Sequence, residues 1–107
     1  ARQAAYKALD LKNKWGEAYM SLGNIYIAGA KSCGNEFEQK TVYWIAVDMF
    51  NLAKRDADVE ARAKKSINTY SKHFPSTEVC FFNNVEKNSD YKIECWINKS
   101  TVVRTSD

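Results

Sequence analysis

The sequence predicts a mainly α-helical chain, with antiparallel helical hairpins closed by a small C-terminal β-hairpin cap. Three observations carry this expectation. Before Pro75, the one proline among 107 residues, apolar side chains recur at i, i+3 and i+4, the period of a helix with a buried face. After it the chain is richer in Asn, Ser, Thr and β-branched residues and ends in an alternating apolar and charged stretch. Within the helical part, Tyr19-x-x-Leu22-Gly23-x-x-Tyr26 and Ala46-x-x-x-Phe50-x-x-Ala53 set small residues beside aromatic ones. A small residue lets two antiparallel helices close together, and the aromatic fills the space beside it. Hydrophobic residues make up 45% of the chain and aromatics 13%, enough for a real core.

Helices are expected near 1–10, 15–30, 36–55 and 58–73. In the first, Ala1, Ala5, Ala8, Leu9 and Leu11 run at helical spacing. The third contains Val42-Tyr43-Trp44-Ile45-Ala46-Val47, apolar on both faces, so neighbours should cover it on two sides. The fourth opens with Asp58 as N-cap, buries Ala61, Ala63, Ile67 and Tyr70, and stops at His73-Phe74-Pro75. Ser76 caps one further short helix, expected to be anchored by Phe81 and Phe82. Tyr91–Ile97 alternates as a strand, and Thr101-Val102-Val103-Arg104 is a second β-prone run across Asn98-Lys99-Ser100. A lone hairpin is marginal in water. Tyr91, Ile93, Cys95 and Ile97 are therefore expected to pack on the last helices and close the end of the stack. The domain division is a helical region over 1–75 and a cap over 76–107.

The Tyr19–Tyr26 and Ala46–Ala53 patterns resemble the two halves of a tetratricopeptide repeat. In that frame residues 1–11 look like the closing helix of a preceding repeat, so the chain is read as beginning in mid-repeat. Ala8 and Ala53 become equivalent, 45 positions apart, against about 34 in the ordinary repeat. The surplus is placed near 28–37, as an enlarged turn or as an extended helix capped near Gly34. The resemblance also has a narrower form. Ser32-Cys33-Gly34, Val42–Asp48, Tyr70–Pro75, Tyr91-x-x-x-Cys95-Trp96-Ile97-Asn98 and Thr101–Arg104 together resemble the C-terminal segment of a group of Bacteroidetes tetratricopeptide-repeat proteins. Members of that group look like exported, multi-repeat proteins, which implies a periplasmic or envelope location. No catalytic motif carries over from them.

The cysteines leave alternatives open. Cys33, Cys80 and Cys95 are each compatible with a small buried apolar residue. One disulfide and a spare thiol are expected if the chain works outside the cytoplasm. Cys33 with Cys95 is the favoured pair because it ties the connector to the hairpin, and Cys80 with Cys95 is its rival. A zinc site from the three cysteines and His73 lacks the usual C-x-x-C pair. A thiol-dependent enzyme would need His73 beside a cysteine. His73 instead falls in the last turn of a helix, where capping is the common role. Asp48, inside an apolar helix, reads as a carboxylate bonded across the helix pair. No phosphate loop, nucleophile elbow or paired-carboxylate pattern is present, so neither catalytic residues nor a cofactor or metal is expected.

The formal net charge is +3. Lys12, Lys14, Arg62, Lys64, Lys65 and Lys72 are interleaved with acids, the pattern of solvated helix faces rather than of a nucleic-acid platform. No apolar run reaches the ~18 residues of a membrane span. In the repeat frame Asn24, Lys64 and Asn68 line a concave groove. They resemble part of the clamp with which some tetratricopeptide domains hold a partner's terminal carboxylate, although Met20 stands where the earlier helix would carry a lysine. The function expected is a protein or peptide interaction and assembly module. The alternatives are a purely structural terminal cap and a thiol-dependent enzyme.

Overall fold

The computed structural model describes residues 15–107. The helix expected near 1–10, with Ala8, and the charged Lys12 and Lys14 lie outside the described residues. The described chain is mainly helical with one two-stranded antiparallel sheet. Its elements are α1 (Trp15–Ala28), a 3₁₀ turn (Ala30–Ser32), α2 (Glu36–Ala53), α3 (Glu60–Ser71), α4 (Thr77–Phe82), β1 (Asp90–Ile93) and β2 (Lys99–Val102).

Helices α1 and α2 run antiparallel. A Cβ built on Gly16, near the start of α1, would touch Asp56 just beyond α2, and one on Gly23 would lie 2.6 Å from the Phe50 ring. Gly23 is therefore where the helices close, and Phe50, fully buried, fills the space that the missing side chain leaves. Helix α3 returns antiparallel to α2. Tyr70 stacks on Phe50 at 5.8 Å and on Tyr43 at 5.9 Å, while Ala63 is buried at the contact. Polar contact between α3 and α1 runs through Arg62, which ion-pairs with Glu17.

The connector between α1 and α2 is residues 29–35, seven residues, within the usual ~2–8 for helix–helix connections. It is folded rather than looped out. Ala30 and Cys33 are buried, and Ser32 Oγ donates to Gly29 O at 2.8 Å. Gly34 has φ +94°, a left-handed conformation that suits glycine. Asn35 then opens α2 with a capping box: its Oδ1 accepts from Glu38 N at 2.9 Å, and its own N–H donates to Glu38 Oε1 at 3.2 Å.

Three local expectations are corrected. Asp58 does not cap α3. Val59, buried, occupies the cap position, and the Asp56 carboxylate accepts from Asp58 N at 3.0 Å, so the turn is organised one step earlier. Ser76 does cap α4, accepting from Val79 N at 3.2 Å. Its anchor, however, is Cys80, while Phe81 and Phe82 are 77% and 72% exposed. On a six-residue helix only one narrow face meets the core, and Cys80 takes it. The third correction concerns the hairpin, which packs on α2 rather than on the last helices. Its strands pair Asp90 with Val102, Tyr91 with Thr101, Lys92 with Ser100 and Ile93 with Lys99. Lys99 and Ser100 thus belong to β2, and Asn98, at φ 47°, turns the chain.

The second seat follows from the middle of α2, Val42–Val47, being apolar on both faces. Val42, Trp44, Ile45, Ala46, Val47 and Phe50 are all buried, with α1 and α3 on one side and the hairpin on the other. Tyr91 meets Trp44 edge-on at 5.4 Å and Phe37 at 6.3 Å. Ile93 and Ile97 are buried there too. Two further locks hold the cap. Cys33 and Cys95 form a disulfide across a separation of 62 residues, with their Cα atoms 5.1 Å apart. Trp96, beside it, donates from Nε1 to Gly29 O at 3.1 Å and lies 5.8 Å from Tyr26.

Candidate functional site

A cleft of about 620 Å³ opens where α1, α2, α3 and the C-terminal segment meet. Each wall follows from local structure. The end of α1 and the 3₁₀ turn give Ile27, Ala28, Ala30 and Lys31. Along α2, Glu36, Gln39, Lys40 and Tyr43 follow at i, i+3, i+4 and i+7, one stripe of a helix. Lys72, His73 and Phe74 close the far end of α3, and Ser76, Val79 and Ser106 complete the rim. Ser106 is placed there by its backbone N–H, which donates to Pro75 O at 3.3 Å.

A stack of rings runs from the core to this cleft. Phe50, Tyr70 and Tyr43 follow one another, and His73 stacks on Tyr43 at 5.1 Å with an interplanar angle of 21°. Among the described residues the imidazole is thus held by rings, with no carboxylate ion-paired to it. Gln39 Nε2 donates to Gly34 O at 2.9 Å, which fixes that side chain along the wall. The one acid in the lining, Glu36, pairs with Lys40 at 3.9 Å.

The C-terminal segment that bounds the cleft is tied to α2 through Asp48. Arg104 Nη2 reaches Asp48 Oδ1 at 2.8 Å, Trp44 O at 2.8 Å and Thr101 Oγ1 at 3.0 Å. Thr101 in turn donates to Asp48 Oδ2 at 2.5 Å, and Trp44 Nε1 donates to Arg104 O at 2.8 Å. Asp48 is bonded, as a carboxylate inside an apolar helix must be, but its partners come from β2 and the segment after it rather than from the paired helix. Asp107 accepts from both the N–H and the hydroxyl of Thr77, which hold its carboxyl below the ordinary value.

Cys33 and Cys95 are joined, so two of the three thiolates of the zinc alternative are spent. Cys80 is a free, buried cysteine whose thiol is pushed up, first by burial and then by the Asp107 carboxylate. It lines a separate cavity with Val85 and Thr105, while His73 faces the basic cleft. The structure therefore does not bring His73 and Cys80 to one site.

Asn24, Lys64 and Asn68 are exposed, and none lines the cleft. Lys64 pairs with Glu60 at 3.8 Å along its own helix. Arg62 marks the side of α3 that faces α1; Lys64 and Asn68 lie about 200° and 240° further round at ~100° per residue and point away from that seam. No hydrogen bond or ion pair among the described residues links Asn24 to either of them. The cleft residues were missed in the sequence because they come from distant segments. The stripe 36/39/40/43, polar at the start of a helix whose middle is apolar, was the available signal. Among the described residues no helix is long and apolar enough to cross a membrane.

No family model matches this chain, and neither a curated protein nor a solved structure matches it.

Proposed function

We propose that this chain is a protein-interaction module on a helical-repeat scaffold of the tetratricopeptide type, without catalysis, and that a partner segment lies in the cleft at residues 27–43 and 72–79. The cleft carries this reading. At about 620 Å³ it falls within the ~300–1,000 Å³ of ligand pockets, and it has mixed apolar and charged walls. The chemistry around it favours binding over reaction, because its imidazole is stacked on Tyr43 and the remaining thiol is buried elsewhere. The repeat assignment is supported by the Gly23–Phe50 closure and by the antiparallel course of three helices. A disulfide suits an oxidising compartment, which fits the exported location that the resemblance implies.

The test sets two surfaces against each other. Peptides selected from a random display library on the immobilised chain are measured against Ala28→Trp, which fills the cleft from an exposed position, and against a triple alanine variant of Asn24, Lys64 and Asn68. Loss of binding on Ala28→Trp alone supports the cleft. Loss on the triple variant alone moves binding to the helical groove, and a library that yields no binder supports the purely structural cap.

A further inference from the structure

We infer that the cleft takes an acidic segment of a partner protein, with its carboxylates on the lysine rim and an apolar side chain on the floor between them. This rests on the cleft being the binding surface. Lys31, Lys40 and Lys72 against Glu36 leave the lining at +2 with His73 neutral, out of +3 for the whole chain. That charge is available to a ligand. Among the described residues neither Lys31 nor Lys72 has an acidic partner within 4.0 Å. Glu36 is held only loosely by Lys40 at 3.9 Å, and its side chain is 88% exposed, so it can turn away into solvent. The same lining holds Ile27, Phe74 and Val79, which supply apolar surface.

These features fit a peptide better than a nucleic acid strand. Binding of single strands relies on aromatic faces on which bases stack. The tyrosine in this cleft is already stacked on Tyr70 and His73. An acidic peptide needs no free ring: lysine ammonium groups recognise carboxylates as point charges, and charge-assisted hydrogen bonds are the stronger kind.

The probe is a fluorescein-labelled, end-blocked pentapeptide with four acidic residues around one leucine, titrated with the oxidised chain and followed by anisotropy. Its amide analogue and a single-stranded oligonucleotide of equal charge are run beside it. The acidic peptide should bind at least ~10-fold tighter than its amide analogue, and weaken as salt is raised. Lys31→Ala with Lys72→Ala should lower its affinity at least ~10-fold, since two charge-assisted contacts are lost. Lys64→Ala, on α3 but outside the cleft, should leave it unchanged, and equal melting temperatures show that all variants are folded. If the amide analogue binds equally well and both are lost on Ala28→Trp, the cleft stands and the acidic ligand is wrong. Tighter binding of the oligonucleotide, or an equal loss on Lys64→Ala, also overturns the inference. If no binding responds to Ala28→Trp, the cleft reading fails as well.

Discussion

Removing the Cys33–Cys95 disulfide should destabilise this chain strongly. The bond closes a separation of 62 residues, and the chain-entropy treatment gives about 4 kcal/mol at 25 °C for such a loop. At about 4–8 °C per kcal/mol for a domain of this size, that is a fall in melting temperature of roughly 15–30 °C. The structure says what comes loose. Cys95 precedes Trp96, whose ring covers Gly29 and whose Nε1 holds the Gly29 carbonyl, so the hairpin turn and the connector separate together. The assay is thermal unfolding by circular dichroism of the oxidised chain and of Cys33→Ala/Cys95→Ala, each in a Cys80→Ala background to prevent thiol exchange. Peptide mapping without reductant identifies the bond. A fall below about 4 °C, less than ~1 kcal/mol on that scale, would refute the reasoning about the loop. A peptide joining Cys80 to Cys95 in the wild type would refute the pairing.

Three further outcomes are expected. Gly23→Ala drives a methyl into the Phe50 ring, 2.6 Å from the added carbon, and should cost about 1–3 kcal/mol as overpacking does, read from the urea midpoint. Asp48→Ala leaves Arg104 without its carboxylate; at side-chain exposures of 32% and 26% the loss should be about 1–3 kcal/mol, less than for a fully buried pair, and a double-mutant cycle with Arg104→Ala should show positive coupling. Burial, then Asp107, raises the Cys80 thiol; burial, then Glu38, raises the Tyr91 phenol, partly offset by Thr41. Folded values above the unfolded ones mean that this stability is complete below the unfolded-state pKa and is lost as pH rises through the folded one. Melting temperature should therefore decline above about pH 8.5, the ordinary cysteine value, and Cys80→Ala should delay the decline.

How much was legible depended on the range of the signal. Gly23 and Phe50 announced a close approach because one is small and the other aromatic within helical patterns, and the structure sets them against each other. The two-sided apolar character of Val42–Val47 announced two covers, and they are present. Ser76 announced a helix start by side-chain chemistry alone. Position in space was less legible. The hairpin is expected on the last helices because a lone hairpin is marginal and a terminal cap closes the open end of a stack, whereas Trp44 and Phe37 seat it on α2 and the disulfide ties it to the connector. Hydrophobicity alone marks Phe81 and Phe82 as anchors, but a short helix has only one buried face. The cleft joins Ile27, Tyr43, His73 and Ser106, a set that no local pattern assembles.

The most direct test of the account is a ¹H–¹⁵N titration of the oxidised chain with the acidic pentapeptide. Shift changes should centre on the amides of Lys31, Lys40, Tyr43, His73 and Ser106, the rim and floor of one cleft. Changes confined to Asn24, Lys64 and Asn68, or to Phe81 and Phe82, would place binding elsewhere and contradict it.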